Sequence, residues 1–340
     1  MNSQETPLIY DKPFKTYEEQ IQIMESRNII VHDHSFAKQV LSSLSYYTII
    51  NGYKNTFLSV PGTDNFSDGT SFENLYTLHI IDTNINAIIL KYILFVEKYL
   101  KTRLAYCISS KYGVYIDFND LTNMNSDDYL CRNYYSRSAR GRNNILRRIK
   151  QTITLGHINS SVEHYISDKN HIPPWILVTN LTFGLSIKWY SILKSDDKIE
   201  ICSQFIPDSN MPDSDKKEFL AVTFSLLREY RNRIAHSNRT FNTQGLPVLP
   251  KRQLLSLTNG FLSSREYNHN IGKSDLFAVI LTFFILIDDR FILSNLIQDL
   301  SYVLQPYEKN LINGKSIFEI FNLPNNIFSR MDNLLNSKFS

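Results

Sequence analysis

Apolar residues recur every three to four positions over much of the chain, and the longest such run extends from Phe72 to Lys111. Leu75, Leu78, Ile81, Ile85, Ile88, Ile89, Tyr92, Phe95, Val96, Tyr99 and Leu100 keep this spacing, and Gly113 supplies a stop. The pattern predicts one very long helix or two nearly collinear ones. Further helical patterns lie at 143–154, 158–167, 174–194 and 196–205, and another helix starts near Ser214, which reads as its cap. Upstream, Thr16 with Glu19 forms a capping box and Asp33 caps "HSFAKQVLSSL". The tract "VPGTDNFSDGTS" at 60–71 is a linker or long loop, and "NTQGLPVLP" at 242–250 closes a unit. An apolar helix from about 275 and a last one near 316 follow. No alternation of period two persists and no internal repeat is visible, so the class is mostly α. The organisation expected is an N-terminal helical region over 1–60, a helical bundle over 72–245 and a C-terminal helical region over 250–340.

At 340 residues, two packed units or one domain with appended helices are expected. With 43% hydrophobic and 13% aromatic residues the chain can bury a large core, which argues against dominant disorder. Cys107, Cys131 and Cys202 are odd in number and lack close pairing, as in a reduced, cytoplasmic protein. The opening residues 1–20 hold no apolar run of a secretion signal, and "LFAVILTFFILI" at 276–287 is too short to span a bilayer. That stretch reads as a buried helix, and no membrane is expected as a partner.

The net charge of +3 is too small to mark a nucleic-acid binder, but its distribution is uneven. No acid occurs between Asp128 and Glu163, whereas Arg132, Arg137, Arg140, Arg142, Arg147, Arg148 and Lys150 fall within this interval, with Tyr134 and Tyr135 among them. Such a stripe can neutralise several RNA phosphates, and the tyrosines can stack on bases. A solvated helix and loop explains the same residues.

The densest polar chemistry is "RNRIAHSNR" at 231–239, placed at the end of the apolar stretch "FLAVTFSLLREY". On a helix over 224–240, Leu227, Tyr230 and Ile234 form the apolar stripe, which can pack on the long 72–111 helix. Asn232 and His236 share the opposite face, flanked by Glu229, Arg233 and Arg239. Arg231 lies about 140° from His236, so its side chain must reach across or the helix must loosen. Neutral imidazole can take a proton from a ribose 2′-hydroxyl or give one to a leaving 5′-oxygen, and guanidinium groups stabilise the phosphate oxygens that gain charge. The spacing Arg, four to six residues, His is that of the HEPN class of metal-independent ribonucleases, in which Asn often follows Arg. About one such match is expected by chance in a chain of this composition. A capped, solvated helix end is the competing reading.

A second copy, "RNIIVH" at 27–32, shows why spacing alone does not decide. Ile29, Ile30 and Val31 are β-branched and sit between an ending helix and the cap at Asp33, so Arg27 and His32 read as a helix end and turn. His32, Asp33 and His34 lack further metal ligands. Glu97, four residues before Lys101, reads as a surface ion pair, with a supporting role at the site as the alternative. Trp175, after Pro173 and Pro174, reads as a core anchor. His157, His164 and His171 are spaced by seven, but the prolines interrupt their face. No metal site and no cofactor are expected.

Several segments, in order along nearly the whole chain, resemble the Abi-like abortive-infection proteins of bacteria, of the AbiD and AbiF type. They are "KTYEEQIQIMESRNIIV", "SYYTIINGYKNTF", "FVEKYLKTRLAY", "PPWILVTNLTFGLSIKWYSIL", "LREYRNRIAHSNRTFN" and "FNLPNNIF". The resemblance implies a HEPN-like helical bundle acting in defence against phage, with Arg231, Asn232 and His236 as its ribonuclease motif. It also implies a composite site made by two motifs in a homodimer, and for AbiF-type relatives a small structured non-coding RNA that restrains the toxin. Two departures are Asp82-Thr83, where the family shows Asp-Arg, and Ile234, where Cys is common.

The reading that follows is a cytoplasmic, metal-independent endoribonuclease toxin that cuts RNA by 2′-hydroxyl attack. His236 is the general acid or base, Arg231 stabilises the phosphate and Asn232 orients either. Arg228, Arg233 and Arg239 bind the RNA backbone together with the 132–150 stripe. The alternative is a non-catalytic RNA-binding defence module. Nucleotidyl transfer ranks last, because no glycine-rich phosphate loop and no paired carboxylates are present.

Overall fold

The computed structural model describes residues 10–207, 210–236, 239–241 and 244–339. The first nine residues, expected to carry no secretion signal, lie outside these, as do Ser237 and Asn238 of the expected 224–240 helix. The fold is mostly α. Contacts divide it into two units, one of residues 1–84 with 306–320 and one of 85–305 with 321–340.

The first unit opens with α1 (Tyr17–Ser26), whose capping box is formed as expected: Thr16 Oγ1 accepts from Glu19 N, and Glu19 accepts from Thr16 N. Asp33 caps α2 (His34–Ser43) by accepting from Phe36 N at 2.9 Å. Between them Arg27 ends α1, donates to the Tyr46 hydroxyl and pairs with Asp64 at 3.0 Å, while His34 pairs with Glu25. The upstream Arg-Asn-x-x-x-His copy is therefore a helix end and turn. A π turn (Tyr47–Asn51) leads into α3 (Gly52–Phe57), and the 60–71 loop follows.

One unbroken helix, α4 (Phe72–Tyr112), realises the longest periodic run, its residues 72–84 belonging to the first unit and 85–112 to the second. It is long and apolar enough to cross a bilayer, yet Leu75, Leu78, Ile85, Ile89, Val96, Leu100 and Leu104 have no exposure, the one-faced stripe of a core helix. Glu97 and Lys101 pair at 2.7 Å on it.

The second unit continues with α5 (Arg142–Thr154), α6 (Ser160–Asp168), α7 (Pro174–Leu177), α8 (Phe183–Ile192), α9 (Ser195–Phe205) and α10 (Asp213–Ala235). The single helix expected over 174–194 is broken, because Thr182 caps a new start by accepting from Leu185 N, and Asn180 is spent on Thr152 O and Asn159 N. Trp175 is 49% exposed, so it is no core anchor; the buried tryptophan is Trp189, whose Nε1 donates to the Tyr135 hydroxyl. α10 begins two residues earlier than expected, with Pro212 rather than Ser214 at its cap position.

After the 242–250 break come α11 (Lys251–Leu257), α12 (Ser264–Asn268), α13 (Leu276–Leu286) and α14 (Arg290–Leu304). The apolar run is α13, buried from Leu276 to Phe284. α14 was not read from the sequence, although Asp289, which accepts from Ile292 N, is a cap signal and Leu293, Leu296, Leu300 and Leu304 keep the helical spacing. A two-residue hairpin, β1 (Leu311–Ile312) with β2 (Lys315–Ser316), and α15 (Ile317–Ile320) belong to the first unit; α16 (Ile327–Lys338) completes the second.

Candidate functional site

The site is carried by α10, and its geometry follows from where that helix is clamped. Asp213 and Asp215 sit in its first turn, where carboxylates suit the helix dipole. Further along, Leu220, Phe224, Leu227 and Tyr230 are fully buried. The Phe224 ring meets Phe183, Tyr190 and Phe205 edge-on at 6.4, 5.8 and 5.5 Å, tying α10 to α8 and α9. The Arg103 guanidinium of α4 lies 3.8 Å from the Phe205 ring centroid. Burying such a ring contributes about 1.5–3 kcal/mol, and the Tyr230 hydroxyl donates to Ser274 O at 3.4 Å. The clamp thus ends one residue before Arg231.

From Arg231 onward the chain emerges. Arg231, Asn232, Arg233 and Ile234 are half-buried, and Ala235 and His236 are exposed. The helix stops at Ala235, and His236 occupies its C-cap with φ −97° and ψ 16°. Its amide donates to Asn232 O at 3.1 Å and Arg233 O at 3.2 Å. The imidazole is therefore presented by a terminus whose backbone is fixed by the last turn. No described residue takes up the side chains of Arg231, Asn232 or His236. This end also corrects the 224–240 helix: Arg239 is not on it, and its guanidinium lies 5.9 Å from the Phe241 ring centroid. Arg228 pairs with Glu229 at 2.9 Å and Arg233 donates to Gln244 O at 3.2 Å, so both are partly engaged.

The basic stripe divides. Gly141, at φ +74°, takes the left-handed conformation that starts α5. On α5, Ile145, Leu146, Ile149 and Ile153 are buried, which turns Arg147 and Arg148 to solvent. Arg137 and Arg140 are also exposed, and Arg132 and Arg142 are half-buried. Lys150 is not part of this surface. Its ammonium has no exposure, pairs with the equally buried Asp128 at 2.5 Å and donates to Asp120 O at 2.6 Å. Tyr135 is likewise withdrawn from base stacking, fully buried with its hydroxyl donating to Tyr129 O. Tyr134 is stacked on Tyr112, ring centroids 4.6 Å apart.

In the first unit, Asp82 is buried and accepts from the Tyr53 hydroxyl at 3.0 Å, while the Thr83 hydroxyl donates to His79 O within its own helix. The histidines spaced by seven do not converge: His164 pairs with Asp168 and His171 with Asn170. Among the described residues, no group of three or more His, Cys, Asp and Glu could hold a metal ion.

The family model for Abi-like proteins matches residues 39–242, more than half of the chain and the whole of α10. The chain belongs to the Abi-like family. Searches of curated proteins and of solved structures give no match. Membership makes this Abi-like protein a component of abortive infection, a defence against phage. The matched span includes Arg231, Asn232 and His236 and every basic residue of the 132–150 stripe.

Proposed function

We propose that this Abi-like protein is a metal-independent, HEPN-type endoribonuclease toxin of the cytoplasm. The observation that carries the reading is the exposed His236 at the fixed end of α10, with Arg231 and Asn232 in the preceding turn and no described partner for any of the three. In an attack by a ribose 2′-hydroxyl on its own phosphodiester, the 2′ proton must leave and the 5′-oxygen must gain one. His236 performs one of these transfers. Arg231 offers two parallel donors to the phosphate oxygens, and Asn232 orients the phosphate or the imidazole. A second His236, from the twofold mate in a homodimer, performs the other transfer and completes a composite site.

Arg137, Arg140, Arg147 and Arg148 form a solvent-facing surface for the RNA backbone, with Arg228, Arg233 and Arg239 nearer the reacting centre by sequence. A small structured non-coding RNA can occupy that surface and hold the toxin in check. The test is cleavage in excess EDTA followed by end-group analysis: the reading predicts undiminished cutting and a 2′,3′-cyclic phosphate on the upstream fragment. Loss of cutting on chelation, or a 3′-hydroxyl at the cut, contradicts it. Light scattering should give a dimer with or without RNA.

A further inference from the structure

Away from the end of α10, the second unit holds a cleft of about 490 Å³ between the end of α8, the start of α9 and the first half of α10. This volume falls in the range of small-molecule sites, roughly 300–1,000 Å³. Two lysines line it, Lys198 from α9 and Lys217 from α10. Lys198 Nζ donates to Ser191 O at 2.6 Å and Lys217 Nζ to Ser195 Oγ at 2.8 Å. Each bond uses one of three available protons. Neither lysine is ion-paired with a described carboxylate, and burial together with the like charge of Lys217 holds the Lys198 ammonium below the usual lysine range. The one acid of the lining, Glu218, accepts from Gln253.

Two cations held in one cleft, neither ion-paired with Glu218, repel each other, and a bound dianion removes that cost. The remainder of the lining is apolar at Ile187, Leu193 and Ala221, aromatic at Tyr190 and hydroxylated at Ser136 and Ser225. Such walls suit a flat apolar ring and a polyhydroxylated sugar. Ala221, Ser225, Arg228 and Asn232 fall within about 60° on the surface of α10. The cleft, Arg228 and Asn232 therefore share one face of this helix, Ser225 and Asn232 being about 10 Å apart along it.

We propose that this cleft is a binding site for a nucleoside phosphate, with Lys198 and Lys217 on the phosphate and the apolar wall against the base. The anion site stands on its own residues; the choice of a nucleotide rests on the ribonuclease reading above. The ligand is either a free nucleotide or the 5′-phosphorylated end of an RNA strand.

Calorimetric titration of the full chain with adenosine 5′-monophosphate tests it without any dependence on cleavage. The expected result is saturable binding at about 1 mM or tighter, competed by inorganic phosphate, weakened at least tenfold by Lys217→Gln and lost in Lys198→Gln/Lys217→Gln with the melting transition retained. Ser225→Phe, which obstructs the cleft and spares both lysines, should also block binding and serves if the double variant does not fold. A tenfold preference for a 5′-phosphorylated oligoribonucleotide over the monophosphate identifies the RNA end; no preference identifies the free nucleotide. Absence of binding, or binding that survives both the lysine variant and Ser225→Phe, overturns the proposal. Binding by a protein that cuts no RNA keeps the anion site and removes the ribonuclease reading instead.

Discussion

Lys150 Nζ lies 2.5 Å from Asp128 Oδ2, and neither side chain has any exposure to solvent. The pair is fixed further by Asp120 O, which accepts from the ammonium, and by the Leu130 and Asp117 amides, which donate to the Asp128 carboxylate. It anchors the 113–131 loop to α5, so a charge that reads from the sequence as part of a basic surface is a structural one.

Removing one partner leaves the other buried and uncompensated, at a cost of about 3–5 kcal/mol. Lys150→Met should therefore lower the denaturation midpoint strongly, and Lys150→Met/Asp128→Leu should recover much of the loss. Chemical denaturation of the three proteins checks this. Equal destabilisation by the single and double variants would show that the pair is not what holds the loop.

Arg147 and Arg148, on the opposite face of the same helix, should behave in reverse. Arg147→Gln/Arg148→Gln is expected to change stability by no more than about 0.5 kcal/mol. If both contact single-stranded phosphates, the slope of log affinity against log salt should fall by about 1.4. An unchanged slope in a filter-binding titration would remove α5 from the RNA surface.

Asp275 caps α13 and accepts from the Gly272 and Ala278 amides and from Asn322. Burial outweighs these bonds and pushes its carboxyl up to about 6. A raised value in the folded state means the fold binds the proton more tightly than the unfolded chain does. The resulting contribution to stability is complete below about pH 4 and is lost as pH rises through about 6. Asp275→Asn should abolish this step. The difference in melting temperature, wild type minus variant, should thus be larger at pH 4.5 than at pH 7.5, and a difference that is flat or grows with pH would contradict the assignment.

The long α4, the caps at Thr16 and Asp33 and the buried α13 were legible because each rests on local spacing and side chains within one turn. So was the decoy at Arg27 and His32, where β-branched residues and a nearby cap marked a turn. What was missed depends on contacts distant in sequence. Nothing near Lys150 announces that Asp128 and Asp120 O will meet its ammonium. The break at Thr182 is accompanied by ties of Asn180 to Thr152 and Asn159, and Trp175 stands exposed in the segment before it. The joining of 306–320 to the first unit is a long-range pairing as well, seen in the bonds of Asn313 to Thr70 and Lys315 to Thr56. For the site, the sequence supplied residue types and spacing; that the helix ends at Ala235, with His236 exposed at its cap, required coordinates.

The most direct test of the central claim is a paired measurement on His236→Ala of RNA cleavage rate and RNA affinity. The side chain is exposed and its backbone bonds do not depend on the ring, so the variant should fold and retain most of its affinity. Its cleavage rate should fall about 10²- to 10⁴-fold, with loss of toxicity in cells. A variant that cuts RNA at the wild-type rate, or one that loses affinity and toxicity in equal measure, would instead describe a protein that acts by holding RNA.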